Sequence, residues 1–89
     1  MAEKTFQLEI LTPKRRVFNG PVTSVIAPGA LGYLGVLANH APLVTTLVPG
    51  KVTYRGPGET GRLLQSRGYG LMEVYHNQAT LLLDEVSEG

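Results

Sequence analysis

Apolar and polar residues alternate with a period of two through most of the chain, the pattern of strands half-buried against a core. Phe6, Leu8 and Ile10 share one face, while Thr5, Gln7 and Glu9 share the other. Thr12-Pro13-Lys14 interrupts them, because proline gives no ladder donor and biases Thr12 toward an extended turn. Val17 and Phe18 resume the pattern, and Asn19-Gly20-Pro21 predicts a tight turn. Val22, Ser24 and Ile26 then alternate with Thr23, Val25 and Ala27, a strand closed by Pro28-Gly29. Glycine or proline at 32, 35, 42, 49 and 50 leaves room only for short strands and loops.

The second half repeats this organisation. Val52 and Tyr54 lead into Arg55-Gly56-Pro57-Gly58-Glu59, whose Gly-Pro-Gly reads as a hairpin tip, and Leu63-Leu64-Gln65 returns from it. Tyr69 to Val74 is a further strand. Tyr75-His76-Asn77-Gln78 is a polar connection in which Asn77 tolerates a left-handed backbone, and Ala79 to Leu83 is the final strand, followed by a solvated tail at Asp84-Glu85. No window places apolar residues at i, i+3, i+4 and i+7 with capping signals, so no helix is predicted. Short strands at this spacing predict an all-β sandwich or barrel forming one domain.

Composition narrows the functions open to such a fold. The 89 residues include no cysteine and two histidines, which excludes disulfides, thiolate metal sites and thiol nucleophiles and leaves no metal site in view. The formal net charge is +1, unlike a strongly electrostatic nucleic-acid binder. Charge is nevertheless segregated: residues 1–67 carry net +5 and residues 68–89 net −4, so the two ends are expected to lie close together. Between Val17 and Gly50 no charged residue occurs, but the prolines and glycines there forbid a membrane-spanning helix. No segment before it reads as a signal peptide.

Candidate chemistry is sparse. Ser24, Ser66 and Ser87 lack a nucleophile-elbow context, and Asp84 and Glu85, being adjacent, would point to opposite faces of a strand. The segment Gly29-Ala30-Leu31-Gly32-Tyr33-Leu34-Gly35 is glycine-dense, but no lysine lies within fifteen residues after it and no helix follows, as a phosphate cradle requires. It reads as a loop that either exposes Leu31, Tyr33 and Leu34 or turns them into the core. A swinging-arm carrier of the lipoyl or biotinyl kind would need a modified lysine at a hairpin tip, and Lys51 lacks flanking Asp or Met. A single-strand nucleic-acid barrel would need aromatic platforms among basic residues, and only Tyr54-Arg55 and Arg67-Gly68-Tyr69 offer them.

The order of the motifs is more informative than any one of them. Glu9-Ile10-Leu11-Thr12-Pro13 is followed by Val17-Phe18-Asn19-Gly20, Val25-Ile26-Ala27-Pro28-Gly29, Gly32-Tyr33-Leu34-Gly35-Val36-Leu37, Asn39-His40-Ala41-Pro42-Leu43 and Leu47-Val48-Pro49-Gly50. Together with Gly68 to Val74 and Asn77 to Leu82, this succession resembles the N-terminal domain of the epsilon subunit of rotary F-type ATP synthases, over about residues 5–84.

The resemblance implies a β-sandwich of about ten short strands. It also implies a non-catalytic central-stalk subunit that docks the gamma subunit onto the c-ring and couples proton flow to ATP synthesis. Such a subunit is peripheral on the cytoplasmic face of a bacterial plasma membrane, or on the stromal or matrix face of an organelle membrane. Carried over residue by residue, the gamma-facing positions are Thr12, His40 and Thr45, and the c-ring-facing loop is Leu31, Gly32, Tyr33 and Leu34. Family members often have acidic residues where Leu31 and Tyr33 stand, so an apolar or aromatic contact is expected in place of a charged one. Ala38-Asn39 replaces a common Pro-Gly, with Asn39 expected to take the glycine's conformation. The family's C-terminal two-helix hairpin has no counterpart before Gly89, so neither hairpin-based inhibition nor a nucleotide or other cofactor is expected. The isolated chain is expected to be a monomer that binds no nucleic acid.

Overall fold

A computed structural model of the protein describes residues 3–88. Ten strands account for most of them: β1 (Phe6–Leu11), β2 (Arg16–Val22), β3 (Ser24–Gly29), β4 (Gly32–Leu37), β5 (Leu43–Leu47), β6 (Gly50–Arg55), β7 (Arg62–Ser66), β8 (Gly70–Tyr75), β9 (Gln78–Leu83) and β10 (Val86–Glu88). No helix occurs among the described residues. The all-β expectation therefore holds, with the number of strands that the resemblance implied.

The strands form one hydrogen-bonded sheet in the order β10-β7-β6-β3-β5-β8-β9-β1-β2, with β4 on the other edge of β3. Neighbours are antiparallel except β1 and β9, which run parallel with Leu8 opposite Ala79 and Ile10 opposite Leu81. β3 gives Ser24 to Ile26 to β6 but only Gly29 to β5, opposite Leu47. At that single pair the sheet folds over on itself, leaving five strands on either side. Glycine suits the corner, since a Cβ on Gly29 would come within 2.7 Å of Leu34 Cδ2 and 2.9 Å of the Gly32 carbonyl oxygen.

The two inner faces share one core. Val25, Ala27, Val36, Val52, Tyr54 and Leu64 from the β3 half meet Phe6, Leu8, Ile10, Met72, Leu81 and Leu83 from the β1 half. Across the gap the rings of Phe18 and Tyr54 lie 4.7 Å apart, centroid to centroid, so the outer strand β2 is packed onto β6. Buried polar groups are paired: Thr23 Oγ1 donates to the Arg55 carbonyl at 3.2 Å, and Ser66 Oγ to the Gly68 carbonyl at 3.3 Å. The segregated charges do meet, with Arg15 beside β2 bonded to Glu88 of β10 at 2.9 Å.

Two local readings need correction. Asn19-Gly20-Pro21 is not a turn but the middle of β2, with Asn19 opposite Glu9 and Pro21 opposite Gln7. Proline is tolerated there because β2 is the outermost strand and, among the described residues, has no further neighbour awaiting an N–H. The actual bend is at Thr23, while β3 does end at Pro28-Gly29, as expected. Lastly, Asp84-Glu85 is not a tail: it links β9 to β10, whose Val86, Ser87 and Glu88 pair with Ser66, Gln65 and Leu64.

Candidate partner interface

The outward faces of β5, β8, β9, β1 and β2 form one surface whose composition follows from register. Thr46, Leu71, Leu82 and Leu11 lie side by side across four strands, because Thr46 pairs with Leu71, Leu71 with Leu82 and Leu82 with Leu11. The next row reads Val44, Glu73, Thr80, Glu9 and Asn19. Val44, Leu71 and Leu82 are exposed despite being apolar, and so is Tyr69 just before β8. Leu11, Thr12, Pro13, Tyr69 and Leu82 border a shallow cavity of about 490 Å³ at one end of this surface. Glu9 is held by Arg16 at 3.0 Å, whereas Glu73 is exposed.

Thr12 sits at the Leu11 end of this face, in the turn after β1. Its Oγ1 accepts from the Arg15 N–H at 3.3 Å, while its own N–H donates to the Arg15 carbonyl at 2.9 Å. His40 lies at the opposite end. Its neighbour Asn39 takes a left-handed backbone, φ 63°, as the sequence predicts. The Asn39 N–H donates to Asn77 Oδ1 at 2.7 Å, and Asn77 Nδ2 donates to the Thr5 carbonyl at 3.0 Å. Asn77 thereby ties the loop before His40 to the start of β1. His40 Nδ1 is 2.8 Å from the Ala41 carbonyl, a contact that calls for the proton on Nδ1.

Thr12 and His40 are thus separated by the length of β1, roughly 17 Å at the usual strand rise, and also by the three strand spacings between β1 and β5. Thr45 lies between them on β5, but it alternates inward with Leu43 and Leu47 and is partly covered. Its exposed neighbours are Val44 and Thr46. Beyond Leu47, the second edge of β5 has no strand partner among the described residues.

The glycine-dense segment forms a separate feature, the β3–β4 hairpin. Gly29 pairs with Gly32 around an Ala30-Leu31 turn, and Gly32 has φ 128°, a conformation that suits glycine. Leu31 is fully exposed at the apex and Leu34 packs against the core. Both outcomes foreseen for this loop are therefore realised, at different residues. Tyr33 is half withdrawn: its Oη accepts the Lys51 N–H at 3.0 Å.

Leu71, Leu82, Val44 and Tyr69 were not among the sequence-derived candidates. A signal was present in Leu81-Leu82-Leu83, since three successive leucines in a strand must make both faces apolar. Among the described residues no three His, Asp or Glu side chains gather as a metal site.

Comparison with known proteins follows the same outline. The family model of the ATP synthase delta/epsilon chain β-sandwich domain matches residues 5–89. The chain is 45% identical over 82 residues to the ATP synthase epsilon chain of Pelotomaculum thermopropionicum, covering 92% of this chain and 60% of that one. It spans only three fifths of that relative's length. With the epsilon chain of Chlorobium limicola the identity is 42% over 86 residues, covering 97% of both chains. Among solved structures, a chain of the Euglena gracilis mitochondrial ATP synthase, described as OSCP/F1/c-ring, superimposes with a TM-score of 0.87 at 20% identity. That match covers 94% of this chain and 53% of the other, and it supports the fold alone.

Proposed function

Because the chain belongs to the ATP synthase delta/epsilon family of β-sandwich domains, we propose that it is a central-stalk subunit of an F-type ATP synthase. In this reading it sits between the gamma subunit and the c-ring, turns with both, and couples ion flow to ATP synthesis without chemistry of its own. The observation that carries the reading is the match across residues 5–89, joined to 42% identity with a named epsilon chain over nearly the whole of both sequences. It is a peripheral subunit, held to the membrane's cytoplasmic, stromal or matrix face through its partners.

The geometry supports two docking elements on one rigid body. Gamma is assigned to the outer face that runs from Thr12 to His40, with Leu71 and Leu82 in its row beside Thr12 and with Val44 and Thr46 in place of the inward-facing Thr45. Exposed leucines in one row are costly to leave in water and form the sort of patch that a partner covers. The c-ring is assigned to the β3–β4 tip, Leu31 to Leu34. A broad face with a leucine row along one end and a narrow projecting tip suit a part that grips one partner and is seated on another.

The test is binding of the chain to purified gamma subunit. One-to-one saturable binding is expected, weakened at least tenfold by Leu82→Asp and measurably by His40→Ala. A folded chain that does not bind cognate gamma, or that binds it equally well with Leu82→Asp, refutes the assignment.

A further inference from the structure

Leu31 stands fully exposed at the apex of the β3–β4 hairpin, and the structure shows how that apex is held. The Ala30 N–H donates to the Thr46 carbonyl at 3.1 Å, and the Val48 N–H to the Pro28 carbonyl at 2.9 Å, so the root is tied to β5 and the segment after it. A third tie is of another kind. Tyr33, on β4, reaches past β3 to accept the Lys51 N–H of β6 at 3.0 Å. That N–H is available because the β3–β6 ladder spans only Ser24 to Ile26 opposite Arg55 to Thr53. Opposite Tyr33 on β3 is Pro28, which has no N–H and gives its carbonyl to Val48.

The tyrosine also has a surface on which to rest. A Cβ on Gly50 would come 2.8 Å from Tyr33 Oη and 2.9 Å from Pro28 Cβ, so only glycine leaves room for the ring here. The phenol therefore spans three strands and fixes the start of β4, two residues from the exposed leucine.

We propose that Tyr33 is a positioning residue for this tip: by accepting the Lys51 N–H it sets the pose of Leu31, which is the docking side chain, and the tip fits a leucine-sized apolar recess on the c-ring loops. This rests on the assignment of the tip to the c-ring. A tip already fixed in its bound pose loses less conformational freedom on docking, so removing the brace weakens binding although the contact atoms are unchanged. Tyr33 and Leu31 thus divide the work that a pair of charged contacts would share.

The experiment measures affinity of the folded chain for purified c-ring and, separately, for gamma, with exchange of the Lys51 amide read by hydrogen exchange. Leu31→Asp is expected to weaken c-ring binding at least tenfold and leave gamma binding unchanged. Tyr33→Phe, which keeps the ring and removes the acceptor, is expected to speed Lys51 amide exchange and weaken c-ring binding three- to tenfold, again sparing gamma. Gly50→Ala, whose Cβ would crowd both the Tyr33 hydroxyl and Pro28 at the root of the hairpin, is expected to weaken c-ring binding at least as much as Tyr33→Phe. Faster Lys51 exchange with unaltered c-ring affinity in Tyr33→Phe overturns the positioning role while the docking assignment stands. Equal weakening for c-ring and gamma overturns it in favour of general destabilisation. Unchanged c-ring binding by Leu31→Asp removes the docking assignment itself, and the proposal with it.

Discussion

Asn77 makes two side-chain bonds from a backbone conformation that ordinarily belongs to glycine, and substitutions can separate the two effects. His76 and Asn77 have φ 50° and 58°, the paired left-handed residues of a two-residue hairpin turn between Tyr75 and Gln78. Replacing Asn77 by glycine relaxes the backbone but removes the bonds to the Asn39 N–H and the Thr5 carbonyl. Each is worth about 0.5–1.5 kcal/mol, and part of that loss is returned by the easier backbone, so Asn77→Gly should destabilise by about 1–2 kcal/mol. Asn77→Ala loses the same bonds and adds a left-handed penalty of about 1–2 kcal/mol, for a total of about 2–4. Urea unfolding followed by far-UV circular dichroism measures both. The bridged loop leads into His40, so Asn77→Gly should also weaken gamma binding by more than its stability loss implies. If Asn77→Gly is as stable as the parent, the turn backbone alone matters and the bridge contributes nothing.

Two further expectations concern the fold. Burial pushes the Tyr54 phenol above its ordinary value of 10.0, with Arg62 partly opposing the shift. The unfolded state therefore ionises first, and stability should be intact below pH 10 and fall as pH rises beyond it. Tyr54→Phe should flatten that fall in alkaline unfolding titrations, and an unaltered slope would count against the burial argument. Gly70→Ala drives a Cβ into the Leu82 carbonyl oxygen, which cannot yield as a side chain would, and should cost about 3 kcal/mol by thermal unfolding, whereas Gly61→Ala, whose Cβ would meet Thr53 Cγ2 at 3.7 Å, should change stability by about 0.5 kcal/mol or less.

Much of the architecture is legible where local rules decide it. The alternation of Phe6, Leu8 and Ile10 identifies β1 because burial on one face demands it, and Asn39 and Asn77 announce left-handed turns through their own side chains. Legibility fails where a neighbour decides. Asn19-Gly20-Pro21 has the composition of a turn and is a strand because β1 lies beside it and, among the described residues, no strand lies beyond. β10 contributes one apolar residue, Val86, and exists through pairing with β7. The interface divides in the same way. Glycines mark the tip that exposes Leu31, but the row of Leu11, Leu82 and Leu71 is assembled from the β8–β9 hairpin and from β1, which is distant from it in sequence. The bond from Lys51 to Tyr33 joins strands that are not neighbours in the sheet, so no spacing rule could indicate it.

The parallel pairing of β1 with β9 has a consequence for synthesis as well as for shape. β1 is made before the other nine strands, yet one of its two neighbours is β9, some 70 residues later. At roughly 5–20 residues per second, Leu8 and Ile10 wait about 4–14 s for Ala79 and Leu81 to leave the ribosome. Until then only the hairpin with β2 can form, and a two-stranded ribbon is marginally stable in water. The β3–β4–β6–β7 half can assemble during that interval, whereas the half that carries Leu71 and Leu82 cannot. The surface assigned to gamma therefore takes shape after that half, and its leucines are exposed together only once the chain beneath them has folded.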